Sequence, residues 1–389
     1  MHQVRTYNSL SDKGLSRFSA DKYVVSEDCA APEAFMLRSQ KLHTEVVPDS
    51  LLAVARAGAG VNNIPVANYT EQGIVVFNTP GANANAVKEL IVAGLLLGSR
   101  DIYGGMTYVQ ELGHIDDSAE MGKLLEKEKK RFAGTEIVGK TLGVVGLGAI
   151  GSIIANLALD LGMNVIGYDP AISVEAAWQL SSQVERMESL EKLLASADFV
   201  TLHVPAIPAT KHLINTKTLS GMKATAKILN FAREEIVSTD DMVNALDKGV
   251  ISGYISDFPA PALLGRKDVI LMPHIGASTE EAEENCAVMA ADQLKDFLEN
   301  GNIYNSVNYP PTKMSRNGGS RMTFTNSNVP KVLGQVLSVL ADANLNVVDM
   351  VNKSRGEIAY NIIDIEGDID EAVIDKVASV DGVMRVRLI

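Results

Sequence analysis

The feature that most constrains the fold is a glycine-rich turn near the middle of the chain. Residues 141–145 (TLGVV) form an apolar run, and Gly146, Gly148 and Gly151 follow it in G-x-G-x-x-G spacing, at the start of a helical pattern. The first glycine permits a tight turn, the second lets the backbone approach a pyrophosphate, and the third lets helix and strand pack closely. Asp169 ends the next apolar run, where a carboxylate can accept hydrogen bonds from ribose hydroxyls. The combination predicts a dinucleotide-binding βαβ unit.

Short β-branched runs alternate with helical patterns around this turn, which is typical of parallel strands joined by crossover helices. The predicted strands are 141–145, 164–167, 199–204, 227–230, 251–255 and 269–272, with helices at 149–162, 189–197 and 239–249. A smaller α/β layer precedes them, with strands at 34–38, 51–56 and 73–77 and an apolar helix at 84–100. The fold class is therefore α/β, with a doubly wound Rossmann domain and a flavodoxin-like substrate domain.

The C-terminal part of the chain predicts a third domain. Residues 310–320 are rich in Pro, Gly, Asn and Ser and predict a linker, and the rest alternates as strand, helix, strand, strand, helix, strand, which is ferredoxin-like. A long helix at 278–301 closes the first domain. The expected domains are a substrate-binding domain at 1–98 and 280–308, a nucleotide-binding domain at 99–279, a linker at 309–320 and a ligand-binding module at 321–389.

Composition excludes several classes of function. The formal net charge is −13, so the surface as a whole repels nucleic acid and anionic membranes. The cysteines, Cys29 and Cys286, show neither a disulfide framework nor metal-ligand spacing, so we expect no metal site and a reducing compartment. The longest apolar stretch, 90–97, is far shorter than a membrane span of about 20 residues, and the first residues lack a signal-peptide pattern. We expect a cytoplasmic protein.

Two candidate catalytic side chains follow predicted strands of the larger sheet. Arg233 follows strand 227–230 and His274 follows strand 269–272, so both leave carboxyl ends, where open α/β sheets bind ligands. Arginine can bind a carboxylate through two parallel hydrogen bonds, and histidine exchanges protons near neutral pH. The pair therefore predicts a hydride-transfer site, although a loop histidine alone is as often structural.

Several stretches of the chain match one enzyme family. They are residues 55–63 (ARAGAGVNN), 78–80 (NTP), 139–151 (GKTLGVVGLGAIG), 203–205 (HVP), 230–233 (NFAR) and 273–279 (PHIGAST). Over nearly its whole length the chain resembles the D-isomer-specific 2-hydroxyacid dehydrogenases, especially those that oxidise 3-phosphoglycerate to 3-phosphohydroxypyruvate, the first step of L-serine biosynthesis. The resemblance implies an oxidoreductase with NAD as cofactor.

The resemblance also implies roles for individual residues. Arg233 would bind the substrate carboxylate, and His274 would take the proton of the C2 hydroxyl. Arg56, with Ala57 and Gly58, would face the substrate phosphate, and Lys129 from a neighbouring subunit would add a cation; the alternative for the charged run 126–131 is a solvated helix face. The implied cofactor contacts are Thr79, Gly146, Gly148, Ala149, Ile150, Gly151, Asp169, Val204, Pro205, Phe231, Ala232, Asp257, His274, Gly276 and Ala277.

The chain departs from the family pattern in two places near this site. The family has a glutamate that pairs with the catalytic histidine, but no glutamate lies between Asp257 and His274. Asp257 is the better candidate partner, because Asp268 precedes the strand that His274 follows. Glutamates at 234 and 235 stand where glycines usually follow the arginine, adding negative charge near an anion site.

The C-terminal module resembles an ACT domain, which in related dehydrogenases binds the end product serine between two copies. Asn328 and Pro330 fit its signature loop, and Asn346 fits a second amide ligand. Asn326 stands where histidine is frequent, and Lys331 replaces a glycine. We expect L-serine to bind at Asn326, Asn328 and Asn346 in a homodimer or homotetramer.

Two other functions remain open from the sequence. One is a 2-hydroxyacid dehydrogenase for a substrate without phosphate, against which Arg56 and the ACT-like module argue. The other is a nicotinamide-sensing regulatory protein on the same scaffold, against which the acidic charge and the intact Arg233 and His274 argue.

Overall fold

A computed structural model describes residues 1–389, with the side chain of Glu175 outside the description. The chain divides into two compact units, Ala84–Ser278 and the combination of Met1–Asn83 with Thr279–Ile389. No helix in the described part is both long enough and apolar enough to cross a membrane.

The N-terminal segment of the discontinuous unit contains a parallel sheet of strand order β2-β1-β3-β4-β5. The strands predicted at 34–38, 51–56 and 73–77 are present. The first two strands were not predicted, because the alternation in His2–Tyr7 is weak and Tyr23–Ser26 is short. The elements are β1 (His2–Tyr7), α1 (Asp12–Leu15), β2 (Tyr23–Ser26), β3 (Ala34–Leu37), β4 (Ala53–Arg56), α2 (Val66–Glu71) and β5 (Val75–Phe77).

The Ala84–Ser278 unit contains a parallel sheet of order β12-β11-β10-β9-β6-β7-β8, with helices between the strands. Strand order reverses at β6 and β9, as the doubly wound Rossmann fold requires. The elements are α3 (Ala84–Ser99), α4 (Ile102–Glu111), α5 (Ser118–Glu128), β6 (Thr141–Val145), α6 (Ala149–Asp160), β7 (Asn164–Tyr168), α7 (Val174–Gln179), β8 (Glu185–Arg186), α8 (Leu190–Ser196), β9 (Phe199–Leu202), α9 (Thr216–Leu219), β10 (Lys227–Asn230), α10 (Thr239–Asp247), β11 (Gly253–Ser256) and β12 (Val269–Leu271), with 3-10 turns at Lys129–Phe132, Glu234–Ile236 and Pro261–Leu263.

Helix α3 lies in this second unit, whereas the sequence placed residues up to 98 in the substrate domain. Its residues Val87, Ile91 and Leu95 share a core with the sheet of the second unit. A Cβ on Gly94 would come within 2.9 Å of the Phe231 ring, so a small residue lets the helix lie close to the strand ends. The boundary is therefore at Ala84, because the apolar face of α3 packs on this sheet.

The C-terminal segment returns to the first unit and adds the predicted βαββαβ module. Helix α11 begins after Thr279, whose hydroxyl accepts from Ala282 N at 3.1 Å, so Thr279 rather than Ser278 is the N-cap. The module forms an antiparallel sheet of order β14-β15-β13-β16. The elements are α11 (Glu280–Asn300), β13 (Ser320–Ser327), α12 (Val332–Asp342), β14 (Val347–Arg355), β15 (Ile358–Ile365), α13 (Glu371–Ala378) and β16 (Val383–Leu388).

The first half of the predicted linker at 309–320 is packed, whereas residues 315–319 are exposed. Tyr309 and Thr312 are fully buried, and Ile303 and Thr312 exchange two backbone hydrogen bonds. One face of the module's sheet covers α12 and α13, and Tyr360 and Ile362 on the other face join the core of the N-terminal segment. The proline and glycine content of the segment predicted the absence of regular structure, but it did not predict mobility.

Candidate active site

The glycine turn has the geometry that its spacing predicts. Gly146 has a φ of 91°, and a Cβ there would lie 2.7 Å from His203 O. A Cβ on Gly151 would lie 1.9 Å from Gly146 O, so both positions exclude larger residues. A Cβ on Gly148, in contrast, would have no described atom within 4 Å. Protein packing does not explain the glycine at 148, so the open space beside its backbone fits a ligand.

Helix α6 begins directly after this turn, and the acid Asp169 lies beside it. Gly148 is the N-cap, and no described side chain caps the helix, so the N–H groups of the first turn remain for an anion. Asp169 accepts from Leu147 N and from Ala171 N, both at 2.8 Å. Asp169 therefore fixes the turn, and its remaining lone pairs can accept from ribose hydroxyls. These features fit a dinucleotide such as NAD.

Arg233 leaves the carboxyl end of β10 in an extended conformation. The buried Asn230 donates to Arg233 O at 2.9 Å and accepts from Ala232 N at 3.2 Å, which fixes the turn. The guanidinium donates from Nη1 to Ala232 O at 2.6 Å. Glu234 and Glu235 are exposed in the following 3-10 turn, and neither forms an ion pair with Arg233 in the described structure. The added glutamates therefore leave the guanidinium available.

Asp257 holds the loop that carries His274. It is fully buried at the end of β11, and its carboxylate accepts from Ile275 N at 2.8 Å and Gly276 N at 2.7 Å. Its backbone oxygen accepts from His274 N at 2.9 Å. Both carboxylate oxygens of Asp257 bind backbone N–H groups, and its pairing with the imidazole stays a prediction.

The imidazole of His274 is exposed and lies against Phe258, with 4.9 Å between ring centroids. His274 has a φ of 57°, which turns the chain sharply after β12. Because β10, β11 and β12 are neighbours in register, Arg233, Asp257 and His274 leave the same edge of the sheet. The structure thus brings a cation and a proton-exchanging group together at the carboxyl ends of the strands.

The other predicted cofactor contacts of this unit follow the same strand ends. Most are partly exposed at this edge, but Phe231 and Gly276 are buried, and Phe231 packs against α3. They are Ala149 and Ile150 in the first turn of α6, Val204 and Pro205 after β9, Phe231 and Ala232 after β10, and Gly276 and Ala277 after His274.

His203 is a residue of this edge to which the sequence assigned no role. Its Nε2 lies 2.9 Å from Thr201 Oγ1, and its Nδ1 is buried without a partner among the described residues. Burial lowers the pKa of His203 to about 3, so the ring is neutral at physiological pH. The sequence signal was its place after β9 within the 203–205 motif.

Arg56 ends β4 in the other unit and borders a tight loop. Its Nε donates to Arg38 O at 2.9 Å and its Nη1 donates to Gly60 O. Gly58 exchanges hydrogen bonds with Thr79, from Gly58 N to the hydroxyl at 2.8 Å and from Thr79 N to Gly58 O at 3.1 Å. Thr79 is fully buried, so it supports the loop at 57–58 and does not present its side chain to a cofactor here.

Lys129 and the three predicted effector residues lie outside these clusters. Lys129 is exposed and pairs with Glu126, as in the solvated-face alternative. Asn326 is buried and bonds to Ser327 O and to Asn361. Asn328 lies at the end of the module's sheet where β13 finishes, whereas Asn346 bonds to Glu366 at the opposite end of the sheet. One copy of the module therefore does not bring the three asparagines together.

Comparison with known proteins identifies the family. Residues 105–276 match the model of the D-isomer specific 2-hydroxyacid dehydrogenase NAD binding domain. The chain is 41% identical over 287 residues to a D-3-phosphoglycerate dehydrogenase of Synechocystis, covering 72% of this chain but only 49% of that protein. It is 32% identical over 351 residues to a D-3-phosphoglycerate dehydrogenase of Haemophilus influenzae, covering 87% of this chain and 81% of the relative.

Solved structures agree on the fold. The NAD-bound 3-phosphoglycerate dehydrogenase of Entamoeba histolytica superposes with a TM-score of 0.61 at 24% identity, covering 79% of this chain and 98% of that one. The glycine turn and the acid after β7 lie where the Rossmann fold binds a dinucleotide. The chain belongs to the D-isomer specific 2-hydroxyacid dehydrogenase family.

Proposed function

We propose that the chain oxidises 3-phosphoglycerate to 3-phosphohydroxypyruvate with NAD, as the first step of L-serine biosynthesis. The observation that carries the proposal is that Arg233 and His274 follow the carboxyl ends of β10 and β12, in the same parallel sheet as the strand that leads into the glycine turn. The names of the Synechocystis and Haemophilus relatives support this substrate.

The side chains divide the chemistry in a simple way. Arg233 holds the substrate carboxylate through its planar fork and orients C2. His274 accepts the proton of the C2 hydroxyl as the carbonyl forms. Bound NAD supplies the hydride acceptor, and the first turn of α6 with Asp169 holds it. Asp257 acts as a positioning residue, because its contacts fix the backbone on both sides of the imidazole.

Arg56 gives the proposal its substrate class, because a second cation is needed only when the substrate carries a phosphate. Steady-state rates of NADH formation should therefore favour 3-phosphoglycerate over D-lactate and D-glycerate. Arg56→Ala should raise KM for 3-phosphoglycerate far more than for the acids without phosphate. Equal preference across this panel would assign the chain to a dehydrogenase without phosphate specificity.

We propose further that the chain is a homodimer or homotetramer in the cytoplasm, where such a reaction would meet its substrate and NAD. Helices α4 and α5 contain no buried residue, and α4 exposes Tyr103, Met106 and Val109. Sedimentation should show an oligomer, and Met106→Glu should weaken it. A chain that sediments as a monomer at full activity would also exclude a role for Lys129 of a neighbouring subunit.

L-serine is the proposed effector, and the placement of its ligands requires paired modules. Asn328 of one copy would have to meet Asn346 of another, because the two lie at opposite ends of one sheet. Serine should then bind the oligomer and inhibit it, whereas Asn346→Ala should remove both effects. Calorimetry without serine binding to the intact protein would reject this effector and leave the proposed reaction untouched.

A further inference from the structure

A small cavity lies where the C-terminal module meets the sheet of the N-terminal segment. Its volume is about 20 Å³, and its walls include Phe297 of α11, Thr325 of β13, and Arg385 and Arg387 of β16. Gly73 closes one side, since a Cβ there would lie 2.7 Å from Arg385 Cβ and 2.8 Å from Thr325 Oγ1. The cavity is outside the candidate active site.

Two guanidinium groups border this cavity without a carboxylate in contact. Arg387 packs over Phe297, 4.5 Å from the ring centroid, and its Nη2 donates to Phe297 O. Arg385 donates from Nη1 to Leu51 O and from Nη2 to Asp49 O. Neither arginine forms an ion pair within the described residues. Burial holds the pKa of both groups below the usual range, and the charges of Asp49 near Arg385 and Glu33 near Arg387 offset only part of this effect.

Two donors of Arg387 at the cavity also lack acceptors. Nε and Nη1 of Arg387 are buried and make no hydrogen bond to a described residue. Thr325 Oγ1 is also buried, and it lies beside the Tyr309 hydroxyl, which donates to Thr70 O at 3.0 Å and can accept from Thr325. A buried charge without a partner and a buried donor without an acceptor each cost free energy. The cavity therefore fits a group that accepts hydrogen bonds and carries negative charge.

We propose that this cavity binds a small monovalent anion, of the size of chloride or formate, through Arg387 Nε and Nη1 and the Thr325 hydroxyl. A volume of about 20 Å³ accommodates one or two water-sized groups, which excludes a phosphate ester or an amino acid. A water molecule would accept hydrogen bonds but would bring no negative charge into contact with either guanidinium. The anion contacts β13 and β16 of the module beside the N-terminal sheet, so it stabilises their docked arrangement.

Unfolding of the full chain by urea tests the proposal, because urea adds no ions. Stability is compared in sodium chloride, sodium formate and sodium gluconate at equal ionic strength, since gluconate is too large for the cavity. At ten times its dissociation constant the bound anion should lower the unfolding equilibrium constant about tenfold relative to gluconate. A shift in chloride assigns an inorganic ion, and a shift in formate alone assigns a carboxylate. Equal stability in all three salts overturns the proposal.

Variants locate the effect. Thr325→Val keeps the volume and removes the hydroxyl, and Arg387→Met removes the charge, so both should reduce the anion dependence. Arg316→Met is the matched control, because Arg316 is an exposed arginine of the adjoining segment, and its anion dependence should equal that of the wild type. Crystals grown in bromide should show anomalous density within hydrogen-bond distance of Arg387. An anion dependence that survives Thr325→Val undiminished, with no such density, rejects the site.

Discussion

At the scale of single residues, the candidate site depends on two carboxylates that accept hydrogen bonds from the backbone of neighbouring loops. Asp169 binds the N–H groups of Leu147 and Ala171, and Asp257 binds those of Ile275 and Gly276. A carboxylate with several backbone donors is strongly oriented, and so is the loop it binds. Each acid therefore fixes a loop of the candidate site, so the backbone of His274 is held although its imidazole is exposed.

His274→Ala should lower kcat for 3-phosphoglycerate oxidation by about 10²–10⁴, the usual range for removing a positioned acid or base. The Kd for NADH should change little, because the glycine turn and Asp169 are untouched. Arg233→Lys should also lose most of its activity with 3-phosphoglycerate, because the point charge of lysine cannot replace the planar guanidinium. Stopped-flow kinetics and fluorescence titration measure the two quantities. Near-normal turnover in His274→Ala would remove the proton-transfer role.

Asp169 should set the preference for NAD over NADP. Its charge would face the 2′-phosphate of NADP, and a like-charge contact costs several kcal/mol. Asp169→Asn keeps the size and one acceptor for Leu147 N or Ala171 N, so it separates charge from loop support better than Asp169→Ala. The ratio of kcat/KM with NAD to kcat/KM with NADP should fall in both variants. A wild-type ratio near one would contradict this prediction.

His203 should make the fold sensitive to acid. Its pKa in the folded state is about 3, below the value of about 6.5 expected when unfolded, so the unfolded state binds more protons between these values. Stability should therefore fall as pH drops through this window, by up to about 1.4 kcal/mol per pH unit. In urea unfolding measured in buffers between pH 7 and pH 5, His203→Asn should make the free energy of unfolding less dependent on pH. His43→Asn, at an exposed histidine, should retain the wild-type slope.

At the scale of elements, the sequence predicted the larger sheet well and the smaller one in part. Strands β6 and β10 have the predicted bounds because an apolar β-branched run ends at a glycine or a polar residue in each. His2–Tyr7 was not predicted, because its buried positions are Val4 and the polar Thr6, so the apolar alternation in the sequence is weak. Which sheet α3 covers, and which groups Asp257 binds, depend on tertiary contacts that no local pattern encodes.

Lys331 at the start of α12 offers a test at this scale. It has a φ of 82°, where a side chain is strained and glycine is not. Lys331→Gly should raise the free energy of unfolding by about 0.5–1 kcal/mol, after the entropy that glycine adds to the unfolded chain. Lys331→Ala retains the Cβ and is the control, which should be close to the wild type. Destabilisation by glycine in urea unfolding would show that the lysine side chain itself contributes.

At the scale of the whole molecule, the C-terminal module is part of the unit that contains Arg56, not an appendage. Arg321 is fully buried and donates to Asp364 through Nε and Nη2, at 2.6 and 2.7 Å. It also donates to Asn300 O, Met314 O and Ser315 O, so one guanidinium connects the end of α11, the 309–320 segment and the module. Removing residues 309–389 would expose the apolar core that Tyr360 and Ile362 share with the N-terminal segment. We therefore expect truncation to impair folding rather than to leave catalysis intact.

Arg321→Met should therefore be far more costly than loss of a surface arginine. Although burial raises the pKa of Asp364, the hydrogen bonds from Arg321 hold it below its usual range, so the carboxylate is charged and would be left alone. Breaking a buried pair costs about 3–5 kcal/mol, whereas replacing both partners with apolar residues costs less. In urea unfolding, the free energy of unfolding of Arg321→Met should be lower than that of the double variant that also carries Asp364→Leu. The free energy of unfolding of Arg316→Met should be within about 0.5 kcal/mol of the wild-type value. Limited proteolysis should cut the Arg321→Met protein first within 309–320. The variant lacks the three hydrogen bonds by which Arg321 of β13 holds this segment and the end of α11. A single variant as stable as the control would mean that the apolar contacts of Tyr360 and Ile362 alone hold the module in place.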